Sequence, residues 1–299
     1  MPDGLRTSSG ELGEETRAAR ERAYLAARRI KLSFVSQRDR VGSQLGAGTG
    51  ASTEYLDHRP FAPGDDPRYL DWRAFARSGQ LMMRVFRAEV TLSLDVILDV
   101  SRSMFFEPAK RRRTLELFFF AVQSGLGASA SVLTYQADGE RVSPLEAGLV
   151  DRSVSQALEA RSRTASTPAP ALSRLPLRAR ALRVLISDLL FQGDFDGLLR
   201  DLTAGDGPAR VLVPYSPAES NPTWVGDCQL ADAETTLARS FHFDRSALAR
   251  YRRSYSSHFE HVAERARRRG ALMARVTSEG GLVDALAQDG ARQRIVVPC

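Results

Sequence analysis

LDVILDVSRSMFF, residues 94–106, decides how this chain folds. Leu94, Val96, Ile97 and Leu98 form a near-continuous apolar run of strand length, the pattern of a strand buried on both faces of a parallel sheet. The run then breaks into Asp99, Ser101 and Ser103, which alternate with Val100 and Arg102. Ligands of α/β sheets collect outside the carboxyl ends of the strands, because the loops there are free to present side chains. A strand that ends in a carboxylate and two hydroxyls is therefore a candidate site as well as a candidate core.

Outward from this stretch, short apolar runs alternate with helical spacing. Strands are predicted at 92–99, 130–136, 181–188, 209–215, 239–243 and 271–277, with helices over Lys110–Leu126, Val150–Ala160, Asp194–Leu202, Asp244–Arg269 and Gly281–Ala287. This order predicts an α/β fold with a mainly parallel sheet and helices on both faces. The turn ADGE leading into RVSPLEA predicts a hairpin, and hence one antiparallel edge strand. Residues 1–51 read as a polar N-terminal arm with a possible helix over Glu14–Ile30 and a Gly-rich loop, 52–90 as a separate segment, and 91–299 as the α/β domain.

Several function classes are excluded by composition. The chain has 299 residues and only two cysteines, Cys228 and Cys299, too few for a disulfide framework or a cysteine-rich zinc site. Acidic residues near the start leave no room for a signal peptide, so a cytoplasmic location is expected. The uncharged stretch Leu117–Ala137 is broken by Gln123, Ser124, Gly125, Gly127, Ser129 and Ser131 and changes period, so it reads as a buried helix followed by a strand. Lysine occurs only at Lys31 and Lys110, so there is no GxxxxGK[ST] phosphate loop, and neither HExxH nor GxSxG is present. The glycines 46, 48 and 50 lack the flanking strand and helix of a dinucleotide cradle and read as a flexible connection.

A second aspartate, Asp188, closes the strand candidate RVLIS, and SRTASTPAPAL offers Thr164, Ser166 and Thr167 between the two. Hard oxygen donors from three loops over one sheet edge suit a hard cation. Asp99, Ser101, Ser103, Asp188 and a middle-loop threonine resemble the metal-ion-dependent adhesion site of the von Willebrand factor A domain, as in integrin I domains. The resemblance implies that these residues, with Thr167 preferred over Thr164 or Ser166, hold Mg²⁺ or Mn²⁺. It further implies that the hydroxyls ligate directly, that the aspartates act largely through water, and that the ion seeks a carboxylate from a partner.

Residues 52–89, STEYLDHRPFAPGDDPRYLDWRAFARSGQLMMRVFRAE, resemble the signature of a bacterial family catalogued as domain of unknown function 58. Glu54, Tyr55, Arg59, Pro63 to Asp66, Arg68, Asp71, Trp72, Ala76, Arg77 and Glu89 fall in that family's order. The resemblance implies a von Willebrand A-like domain downstream and a MoxR-type AAA+ ATPase as partner, which would supply the hydrolysis this chain lacks. Family members commonly carry transmembrane helices near the N-terminus. None is evident here, so any membrane attachment is expected to come through partners.

Within this signature Arg59, Arg68, Arg73 and Arg77 lie among Glu54, Asp57, Asp65, Asp66 and Asp71, which predicts an ion-paired clamp around the PGDDP turn. An acid/base cluster of His58 with Asp57, Asp65 and Asp66 would make a cryptic hydrolase, but no nucleophile motif accompanies it. The formal charge of +6 is concentrated in one helix, where eight arginines between Arg245 and Arg269 face only Glu260 and Glu264. Leu248, Tyr251, Tyr255, Phe259, Val262 and Ala266 give that helix an apolar stripe. Its other face could bind nucleic acid or an anionic surface. The expected function is a non-enzymatic, metal-ion-dependent protein-interaction module.

Overall fold

In the computed structural model, which describes residues 9–34, 55–86, 92–160, 168–233 and 237–299, the run around Leu94 is the centre of a six-stranded sheet. The chain divides into a larger unit, Met1–Gln37 with Leu92–Cys299, and a smaller one, Arg38–Thr91. The larger begins with α1 (Ser9–Ala27) and β1 (Ile30–Leu32), and the smaller holds β2 (Tyr55–Pro60), α2 (Trp72–Ser78) and β3 (Met82–Phe86). The larger then continues through β4 (Ser93–Asp99), α3 (Arg102–Phe105), α4 (Pro108–Gly127), β5 (Ser131–Asp138), β6 (Arg141–Pro144), α5 (Val150–Ala160), β7 (Leu182–Ile186) and α6 (Phe195–Thr203). It ends with β8 (Ala209–Tyr215), α7 (Pro217–Ser220), β9 (Gly226–Ala231), β10 (Ala238–Phe243), α8 (Arg245–Arg268), β11 (Ala271–Thr277), α9 (Leu282–Asp289) and β12 (Val296–Pro298).

The sheet order is β11-β8-β7-β4-β5-β6. Every pairing is parallel except β5 with β6, the expected antiparallel edge. Along β4, Leu94, Val96 and Leu98 enter one core with α1, α4 and α9, while Ile97 enters a second core with α6 and α8. This is the Rossmann-like arrangement of helices on both faces, and it explains why Val96, Ile97 and Leu98 of β4 are apolar in succession rather than alternating with polar residues. Gly125 lets α4 lie close on the sheet: a Cβ there would stand 2.5 Å from Leu94 Cδ2 and 2.7 Å from Val132 Cγ2. The uncharged stretch 117–137 is the end of α4 followed by β5, and among the described residues no helix is long and apolar enough to cross a membrane.

Two segments depart from the sequence reading. The supposed polar arm contributes α1 and β1 to the large unit: Leu12, Thr16, Ala19, Ala23 and Ala26 form a buried stripe packed on α4. Their spacing of four and three is helical, but alanine and threonine give it little apolar contrast. Arg22 Nε donates to Glu116 Oε1 at 2.7 Å and Arg111 Nε to Glu15 Oε2 at 2.7 Å, fixing the pair of helices. RSFHF forms β10 as expected, yet outside the main sheet, in an antiparallel ribbon with β9. Of its residues only Phe243 is buried, so it has no apolar face to offer a sheet interior.

Candidate metal site

The strand order reverses between β4 and β7, since the chain moves outward from β4 through β5 and β6 and returns on the other side to β7, β8 and β11. Such a switch point leaves a crevice at the carboxyl ends, where the crossover connections diverge. Asp99 is the last residue of β4, and Asp188 follows the end of β7 by two residues. Both are 3% exposed. The topology thus brings together two carboxylates that are 89 positions apart in sequence.

Hydrogen bonds orient the cluster. Asp99 Oδ1 accepts from the Ser101 N–H at 2.9 Å, and Asp99 Oδ2 accepts from Ser187 Oγ at 2.6 Å. Ser101 Oγ and Ser103 Oγ lie 3.2 Å apart, and the Ser103 side chain hydrogen-bonds Asp188. Asp188 Oδ1 accepts from the Leu190 N–H at 3.1 Å. Burial, then the neighbouring Asp188 charge, pushes the Asp99 carboxyl up to about 6, despite its bonds from Ser187 and Ser101. Burial works the same way on Asp188, but the Lys110 ammonium, joined by the hydrogen bonds from Leu190 and Ser103, holds that carboxyl below its ordinary value.

Lys110 was not singled out by the sequence. Its side chain is 1% exposed, and its Nζ donates to Asp188 Oδ2 at 2.9 Å and to Glu219 Oε1 at 2.6 Å. Burial opposes its charge, yet Asp188 and Glu219 together raise its pKa above the usual lysine value. Glu219 is held in turn by the capping box of α7, where its Oε2 accepts from the Ser216 N–H at 3.1 Å. The signal for Lys110 was its rarity: it is one of two lysines among 42 basic residues. A compact ammonium was kept where arginine is the rule.

The donor set fits a hard divalent ion. An octahedral ion with bonds of about 2.1 Å sets adjacent ligand oxygens about 3.0 Å apart, close to the Ser101–Ser103 separation. The residues are two carboxylates with hydroxyls; among the described residues no group of three or more His, Cys, Asp or Glu is placed to hold a metal ion, at this cluster or elsewhere. Thr164, Ser166 and Thr167 lie outside the described residues. Pro168, the next described residue, bridges Gln192 in the loop that follows Asp188. A cleft of about 540 Å³ opens beside Val100, lined also by Gln136, Asp138, Arg141 and Arg174.

The basic helix α8 reaches the same edge. Tyr251 Oη donates to the Glu219 carbonyl at 2.8 Å, and His258 Nε2 lies 3.1 Å from the Leu189 carbonyl. His258 thus touches the backbone beside Asp188. The eight arginines of this segment are all exposed, while Tyr255, Phe259, Val262 and Ala266 are buried.

In the small unit two of the four expected arginines, Arg59 and Arg68, are seen in ion pairs. Arg59 grips Asp65 with two bonds of 2.6 Å, and Arg68 binds Asp66 at 2.5 Å. Gly64 turns the chain at φ +103°, a conformation that side-chain-bearing residues rarely adopt. His58 meets neither Asp65 nor Asp66 in these pairs. Its Nε2 lies 2.7 Å from Asp71 Oδ2, and Asp71 Oδ1 caps α2 by accepting from the Arg73 and Ala74 N–H groups. The His58 hydrogen bond, the cap and Arg84 together hold Asp71 well below the usual carboxylate range.

Fold and site together define a Rossmann-like α/β protein with an oxygen-rich cluster at its switch point. Residues 57–264 match the family described as Protein of unknown function DUF58, and the chain belongs to it. It is also similar to uncharacterized proteins of Mycobacterium bovis and Mycobacterium tuberculosis, each 28% identical over 284 residues that cover 90% of this chain and 89% of theirs. No solved structure gives a significant match.

Proposed function

We propose that the large unit is a von Willebrand A-like, non-enzymatic protein-interaction module that serves as an adaptor or partner of a MoxR-type AAA+ ATPase. The observation that carries this reading is the meeting of Asp99, Ser101, Ser103 and Asp188 at the switch point. These residues would hold Mg²⁺ or Mn²⁺, with a middle-loop hydroxyl, Thr167 by preference, as the remaining protein ligand. When bound, the ion supplies a position that attracts a carboxylate from outside. The chain's own part is orientation: Ser187 and the Ser101 N–H fix both oxygens of Asp99, and the Leu190 N–H with Lys110 fixes Asp188. The cleft beside Val100 gives an incoming segment a surface to lie against.

Affinity purification of the wild-type and Asp99→Ala proteins from the native cell, with and without Mg²⁺, tests the proposal. A AAA+ ATPase should be retained by the wild type in Mg²⁺ and lost in the other three conditions. Recovery of the same ATPase in all four would refute it.

The exposed arginines of α8 favour a second reading, binding to nucleic acid or another anionic surface. That reading predicts affinity falling steeply with salt and indifferent to chelators. A hydrolase centred on His58 has less support, because the hydrogen bond to Asp71 gives that imidazole a structural task at the start of α2.

A further inference from the structure

Lys110 offers more than charge balance. Its ammonium touches the loops after β7 and β8 while its own backbone lies in the first turn of α4, the helix that follows the β4 loop. In the sheet β7 lies between β4 and β8. One side chain therefore links the carboxyl-end connections of three neighbouring strands. Asp188 is fully engaged as a result: Oδ2 faces Lys110, and Oδ1 accepts from Leu190. Two carboxylates, Asp188 and Glu219, accept from one ammonium, and Asp99 neighbours Asp188.

We propose that Lys110 is the resident cation of this site: it holds the three loops together without a bound ion, and a divalent ion must compete with it for Asp188. The inference deepens the reading above and rests on it for the position of the divalent ion. Two things distinguish a tethered ammonium from a metal. It cannot be removed by a chelator, and with three N–H donors and no vacant coordination position it satisfies carboxylates rather than recruiting a new one. Lys110 would thus keep the module folded in its resting state and set a threshold for loading. Glu219, 26% exposed at its side chain against 1% for Lys110, is the carboxylate that draws the ammonium away from Asp188.

The test compares full-length wild type with Lys110→Met and Glu219→Gln, reading thermal melting in EDTA and in Mg²⁺, and Mn²⁺ binding by calorimetry. Wild-type melting should rise only slightly, by about 2 °C or less, from EDTA to Mg²⁺, because an ion that must displace Lys110 binds weakly. Lys110→Met should melt about 10 °C lower in EDTA, as expected for a buried ion pair broken in a domain of this size, and recover part of that loss with Mg²⁺. It should bind Mn²⁺ about tenfold or more tightly than wild type, the effect of removing one nearby positive charge. Glu219→Gln leaves the ammonium to Asp188 alone and should weaken Mn²⁺ binding several-fold. This second variant carries the test if Lys110→Met does not fold.

Lys110→Met melting like wild type in EDTA, or Mn²⁺ binding that is equal in all three proteins, would overturn the inference and leave the metal reading standing. Mn²⁺ binding to none of the three would overturn both.

Discussion

The switch-point cluster and the small-unit clamp use the same chemical types, carboxylates paired with cationic side chains, yet differ in their access to water. Lys110 and Asp188 are almost sealed, with side chains 1% and 4% exposed. In the clamp, Arg68 is 84% exposed and its partner Asp66 37%. A buried pair is costly to assemble and far costlier to break halfway, whereas an exposed pair gains little and is screened by salt. The clamp therefore reads as local shaping of a turn, and the cluster as a place where charge has been retained for use.

The largest break in this contrast should come from Asp188→Ala, which leaves Lys110 buried with only Glu219. A loss of about 3–5 kcal/mol is expected, measured by urea unfolding. Ser187→Ala removes one charge-assisted hydrogen bond from Asp99 and should cost about 1.5–3 kcal/mol by the same measurement. Arg68→Ala should leave the urea midpoint unchanged within error. Any shift it does produce should vanish in 1 M NaCl, where the screening length is about 3 Å.

The smallest effect concerns pH. The side-chain bond from Arg59, followed by the Ala62 N–H, holds Asp65 at about 2. A folded-state pKa lowered in this way contributes stability that is fully present above the unfolded value of about 4 and is lost as the pH falls toward 2. The Arg59→Ala variant should therefore be less stable than wild type by a small, constant margin from pH 5 to 8, and that margin should close as the pH falls from about 4 toward 2.

Much of the fold was legible because buried parallel strands advertise themselves. Leu94 to Leu98, Leu182 to Ile186 and Val211 to Val213 are buried on both faces and apolar but for Asp95 and Arg183, and no helix period imitates that. Helix α1 was legible as the possible helix over Glu14–Ile30, but its burial was hidden by its alanines, which pack well yet contrast weakly with polar neighbours. The β10 run satisfied the strand pattern but could not declare its partner, since pairing depends on which residues lie across from it. Asp99, Ser101, Ser103 and Asp188 could be singled out because they end strands. Glu219 could not, and Lys110 was marked only by its rarity, because their significance comes from a contact between positions 109 residues apart, which only the folded sheet creates.

The central claim is that this cluster governs attachment to a partner. The most direct measurement is the affinity of the purified chain for a purified MoxR-type AAA+ ATPase from the same cell, in Mg²⁺ and in EDTA, for wild type and Asp99→Ala. Binding by the wild type in Mg²⁺, weakened at least tenfold both by chelation and by the substitution, is the predicted result. Equal affinity in all four conditions would contradict it.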